Sequence, residues 1–172
     1  MGPLLEQSRR CMRISVGQRH RLRLGPVLLA IVTLCGGCQT APRSLFTASG
    51  DGWHVRQGQA VWRPRRGLPE LAGDLVVASH QDGRGFVQFA KPPVTLVWAQ
   101  TTPSRWLIQF PAGHRSFRGH RRRPAHFAWL YLQAALAGEA VPAPLRFERQ
   151  PAGDWRLENP RSGETLEGFL DP

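Results

Sequence analysis

The most regular stretch of the chain lies between Pro93 and Phe110. In PVTLVWA, Val94, Leu96 and Trp98 alternate with other positions, and in RWLIQF, Trp106, Ile108 and Phe110 do the same. Period-two alternation predicts strands that put each trio on one face. TTPS, residues 101–104, supplies the turn between them. Paired across that turn, the two trios are expected to form one broad apolar surface. Upstream, Trp53, Val55 and Val61 predict a strand over 52–64, with Gly58 as a turn or bulge. Residues 63–71 read as a loop. GDLVVAS (73–79) and RGFVQFAK (84–91) predict two further strands around an Asp82-Gly83 turn, and Asp51 and Asp74 also read as turn residues.

The period changes after residue 123. In PAHFAWLYLQAALAG (124–138), Phe127, Leu130, Tyr131 and Ala134 follow helical spacing, and Trp129, Leu132 and Leu136 widen the apolar face. Pro124 suits a first helical turn and Gly138 a stop. The end of the chain returns to alternation. PLRFERQ, WRLEN and ETLEGFL, separated by PAGD and NPRSG, predict a three-stranded meander with one wet and one covered face. The expected fold is therefore mainly β (α+β): a curved antiparallel sheet or incomplete barrel, covered by one main helix at 124–138.

Charge and cysteine change this picture at the amino end. The 172-residue chain carries a formal net charge of +11. Part of that excess is Arg9, Arg10, Arg13, Arg19, Arg21 and Arg23, opposed in residues 1–37 by Glu6 alone. The Arg-rich arm is followed by LGPVLLAIVTL (24–34), shorter than the roughly 20 apolar residues of a membrane-spanning helix. Then comes Cys35-Gly36-Gly37-Cys38. A redox pair belongs inside a folded domain, where it opens a helix after a strand. A zinc site needs four ligands, and no second Cys-x-x-Cys follows. A basic segment, a short apolar run and small residues before a Cys have the layout of a secretory signal. The stretch resembles the lipobox of bacterial lipoproteins.

That resemblance implies a signal peptide over 1–37, or from Met12 if translation starts there. It implies acylation of Cys38 as the first mature residue, a tether over 38–51 and a single domain over 52–172. Each buried acyl methylene contributes about 0.8 kcal/mol, so palmitate-like chains on Cys38 make a firm membrane anchor. Gln39 rather than Asp after the Cys implies the periplasmic face of the outer membrane.

The lipobox, the tether, the run FVQF…LVWA…RWLIQF, the Leu/Trp-rich helix and the closing meander are together similar to the LolA/LolB superfamily of lipoprotein carriers. That resemblance implies a half-barrel with a helical lid, and noncovalent binding of an acyl chain or lipoprotein cargo by a monomer with no cofactor. The cavity would then be lined by Leu96, Trp98, Trp106, Ile108, Phe110, Trp129 and Leu130. The same residues would equally build an ordinary filled core, which points instead to a structural or interaction lipoprotein of the cell envelope.

Arg118, Arg121, Arg122 and Arg123 in RGHRRR are candidates for contact with anionic lipid, in an attraction that salt weakens. A solvated loop is the plainer reading, and export argues against nucleic acid. His114, His120 and His126 have arginines between them, which disfavours a bound metal. Enzymatic chemistry finds no support: no Gly-x-Ser-x-Gly elbow, phosphate-cradling glycine loop or carboxylate pair beside a histidine is present.

Overall fold

The computed structural model describes residues 44–151 and 153–171. The predicted signal, Cys38 and the first part of the predicted tether lie outside the described residues. Nine strands follow one another: β1 (Trp53–Arg63), β2 (Leu71–His80), β3 (Gly85–Lys91), β4 (Val94–Thr101), β5 (Arg105–Phe110), β6 (Arg115–His120), β7 (Arg146–Arg149), β8 (Trp155–Asn159) and β9 (Glu164–Leu170). One helix, α1 (Trp129–Leu136), interrupts them between β6 and β7. All pairings are antiparallel, in the order β6-β5-β4-β3-β2-β1-β9-β8-β7. The sheet is open, with β6 and β7 as its two edges, and the mainly β expectation holds.

Alternation sorts the side chains into two faces. On the face turned to α1, Val77, Val87, Ala99, Ile108 and Phe117 stand in one cross-strand row. Leu71, Trp62, Leu166, Leu157 and Phe147 form a second. The core closes where Trp129, Leu130, Leu132 and Leu136 of α1 pack on these rows. Burying side chains of this size contributes about 1.5–3 kcal/mol each.

The register corrects one expectation. Ala99 sits opposite Ile108 and Thr101 opposite Trp106, whereas Trp98 faces Gln109. Trp106 and Ile108 therefore point into the core, while Trp98 points to the opposite face and meets Phe86 edge-on at 6.1 Å. The two trios do not share a face. A tight turn that pairs Thr101 with Trp106 fixes this parity, and a one-residue slip would reverse it. Between Phe89 and Ala90 the register shifts past Leu96, which still packs against the core.

Gly58 is neither a turn nor a bulge, because β1 pairs with β2 without a break. Its lack of a side chain serves a close approach: a Cβ there would lie 2.1 Å from the Phe169 carbonyl oxygen. Gly58→Ala is expected to cost about 1–3 kcal/mol as the backbone of β9 is pushed away, measured by urea unfolding. Asp74 likewise lies inside β2, opposite Gln59 and Ala90, rather than in a turn.

The helix is shorter than its periodicity predicts. Residues 124–128 form turns, with Phe127 N–H donating to the Pro124 carbonyl. Two tertiary demands outweigh the local pattern. Asn159 donates to the Ala125 carbonyl at 3.3 Å, and Phe127 is drawn against Phe117 at 5.0 Å. The carboxyl end follows the prediction. Gly138 adopts φ +88°, its N–H donates to Ala135, and Glu139 N–H donates to Ala134, a Schellman closure.

Residues 44–52 do not hang free of the sheet. Leu45 N–H donates to Gln100 Oε1 at 2.6 Å, and Gln100 Nε2 donates to the Phe46 carbonyl at 2.7 Å. Phe46 stacks on Trp53 at 5.4 Å, and the Arg84 guanidinium lies 5.2 Å from the Trp53 ring. This strap crosses the face away from α1, where Ala78, Phe86, Gln100 and Leu107 form a row. Gln100 is buried because it satisfies the strap's backbone on both sides.

Candidate functional site

The sheet–helix interface gathers most of the predicted acyl-cavity residues. Trp106, Ile108, Trp129 and Leu130 belong to one buried cluster, and Leu96 and Phe110 pack on its margin. Trp98 is not among them. Trp129 occupies the centre, stacked on Phe89 at 5.2 Å and edge-on to Trp62 at 5.6 Å. At the β5–β6 end the packing becomes half-buried and aromatic. Phe110, Phe117 and Phe127 meet one another at 5.0–6.4 Å, and Trp62 stacks on Phe110 at 6.2 Å. This aromatic mouth lies between the edge of the sheet and the turns that lead into α1. Trp62, Phe117 and Phe127 belong to it although the alternation of the 93–110 hairpin did not single them out.

Three polar side chains from outside the helix hold α1 in place. Arg149, on β7, donates to the Leu136 carbonyl at 2.7 Å and so satisfies the last turn. Arg123 donates to the Leu130 carbonyl at 3.2 Å, and the Tyr131 hydroxyl donates back to the Arg123 carbonyl. Burial pushes the Tyr131 phenol up, against the pull of Arg123 and Arg122.

The third is Glu164, which opens β9. It accepts from the Trp62 indole N–H at 3.1 Å, and the Ala128 backbone N–H, at the start of α1, donates to the same carboxylate. Burial pushes this carboxyl up from 4.5 to about 7, more than the two hydrogen bonds lower it. Glu164 lies at the wall of a cleft of about 380 Å³ that Arg63, Arg66, Arg156 and Glu158 also line. In sequence it is an ordinary acid after a turn, and nothing in ETLEGFL distinguishes it.

The basic candidates divide. Arg118 and Arg121 are exposed at the β6 edge, and Arg122 is exposed beside them, although its carbonyl accepts from the Trp106 indole. Arg123 is half-buried against α1 and serves the fold. Arg105, which sequence reading passed over, joins the exposed group opposite His120. Leu45 of the strap, Arg105, Arg118 and His120 line one cleft of about 370 Å³.

No protein-family model matches the chain, and no curated protein matches it in sequence.

Proposed function

We propose that this is a lipoprotein, acylated at Cys38 and held at the periplasmic face of the outer membrane. Its body binds an acyl chain, free or attached to a lipoprotein, between the sheet and α1. The observation that carries the reading is the half-buried aromatic mouth of Trp62, Phe110, Phe117 and Phe127. Rings packed at 5.0–6.4 Å expose apolar surface where an open sheet meets a helix of only eight residues. An acyl chain entering there would replace ring–ring contacts with ring–methylene contacts, which need no covalent step. The binding is noncovalent, and the chain acts without cofactor or catalysis.

A second reading, a filled-core envelope protein that docks a partner, is favoured by Trp129, which is 1% exposed and already fills the space over Phe89. Native mass spectrometry of the mature protein from a lipid-containing host separates the two. A co-purifying acyl species, diminished about tenfold or more in occupancy by Phe127→Ala in a folded protein, supports the carrier-like reading. A clean apo mass, with no binding of a fatty-acid probe, supports the filled core. The anchor has its own test: Cys38→Ala is expected to leave the precursor uncleaved by the lipoprotein peptidase. Normal maturation of that variant would remove the anchor.

A further inference from the structure

Acidic residues are distributed very unevenly along this chain. From Gly83 to Gly138 there is no Asp or Glu, while Arg84, Lys91, Arg105, Arg115, Arg118, Arg121, Arg122 and Arg123 all fall in that span. That span makes β3 to β6 and α1. The residues that follow, Glu139 to Asp171, hold Glu139, Glu148, Asp154, Glu158, Glu164, Glu167 and Asp171 against Arg146, Arg149, Arg156 and Arg161, and make β7 to β9. Because β6 and β7 are opposite edges of one open sheet, the uneven sequence leaves cations alone at the β6 side and charges of both signs at the β7 side. The cations at the β6 edge are also unspent. Among the described residues, the ion pairs of arginine are made by Arg63, Arg84, Arg146 and Arg156, and none by Arg105, Arg118, Arg121 or Arg122.

The strap enters at the same edge. Leu45 shares its cleft with Arg105, Arg118 and His120, and its N–H is fixed on Gln100. Only residues 39–43 separate Cys38 from Ser44. At about 3.3–3.6 Å per residue, a fully extended chain of that length spans roughly 20 Å. A body tied so closely to an acylated residue cannot turn its strap-bearing edge far from the leaflet.

We infer that the β6 edge, through Arg105, Arg118, Arg121 and Arg122, lies against the phosphates of anionic lipids in the leaflet that holds Cys38. The β7 edge then points away from the membrane. This rests on acylation of Cys38 and adds an orientation and a lipid partner to it. Arginine suits the role because its planar fork meets phosphate oxygens in pairs. A basic side chain near an anionic surface contributes about a fivefold bias. Four such residues beside a short tether outweigh rotational freedom of the body. The aromatic mouth of Phe110 and Phe117 lies along the same edge but on the opposite face of the sheet.

The experiment places a fluorophore on the mature lipoprotein through Ser116→Cys on β6 or, separately, through Glu148→Cys on β7. Each protein is reconstituted into phosphatidylcholine vesicles with or without phosphatidylglycerol, with an energy-transfer acceptor on the lipid headgroups. The expected result is stronger quenching at position 116 than at 148 when phosphatidylglycerol is present. The difference should shrink as salt rises from 0.1 M to 1 M, where the screening length falls from about 10 Å to about 3 Å. It should also be lost when Arg105, Arg118, Arg121 and Arg122 are all replaced by Glu. Equal quenching at the two positions on phosphatidylglycerol vesicles would overturn the orientation and leave the acid-free edge to an acidic protein partner. So would a difference indifferent to salt and to charge reversal. Failure of the protein to stay on pure phosphatidylcholine vesicles is a different result. It overturns the acyl anchor itself, and the orientation with it.

Discussion

Trp129→Ala is expected to destabilise the body by about 3–5 kcal/mol, the range for truncating a large buried aromatic. The ring is 1% exposed, stacked on Phe89 and set edge-on against Trp62, so its loss removes contacts with the central strands at once. Trp129 is also the first residue of α1, and the helix has only two turns on which to redistribute the loss. Urea unfolding of the two proteins measures the difference. Phe169→Ala is the control: Phe169 is 42% exposed, and its truncation should stay within about 0.5 kcal/mol. If Trp129→Ala costs no more than the control, α1 is not seated as described. If the variant folds, the space it opens is apolar, and an apolar cavity accepts an apolar guest readily. A fatty-acid probe should then bind it more tightly than it binds the parent.

The second large effect concerns pH. Glu164 is pushed from 4.5 to about 7 by burial, so between those values the folded protein holds a proton that the unfolded chain has released. Stability is fully present below about pH 4.5 and is lost as pH rises through 7. The loss amounts to about 3 kcal/mol. Glu164→Gln keeps an oxygen to accept from the Trp62 indole but carries no charge at any pH. Its urea midpoint should be flat over this window and lie above that of the parent at pH 8. Parallel midpoints for the two proteins at pH 5 and pH 8 would show that the carboxyl is not held in a dry site. Trp62 and the start of α1 both donate to Glu164 and favour its charged form, so the loss comes from burying the charge and not from these two contacts.

Local pattern carried the strands well. Alternation in WRLEN and ETLEGFL foretells the buried Trp155, Leu157 and Leu166, and Asp82-Gly83 turns where expected. Gly138 ends the helix as its freedom at positive φ suggests. The departures all involve partners distant in sequence. Trp98 and Trp106 look equivalent by alternation, but parity across the turn sends them to opposite faces. The start of α1 is set by Asn159 and by the aromatic neighbours of Phe127, which helical periodicity cannot see. Gln100 is one polar residue at the end of an apolar run, and only the strap explains why it is buried. The candidate site was legible as a set of apolar residues. That Trp129 occupies its centre was not, because periodicity tells which face is apolar and not what fills the space before it.

The two free edges bear on how many copies can crowd together. An unpaired strand edge is a template for another chain. Here β7 offers only four residues, and β6 carries Arg115 and Arg118 along an acid-free span. Two copies approaching β6 to β6 would set arginines against arginines. Proteins confined to a surface meet far more often than in bulk, and always in related orientations. Were the chain anchored as proposed, short length at one border and like charge at the other would let such a layer become dense without zipping into fibrils.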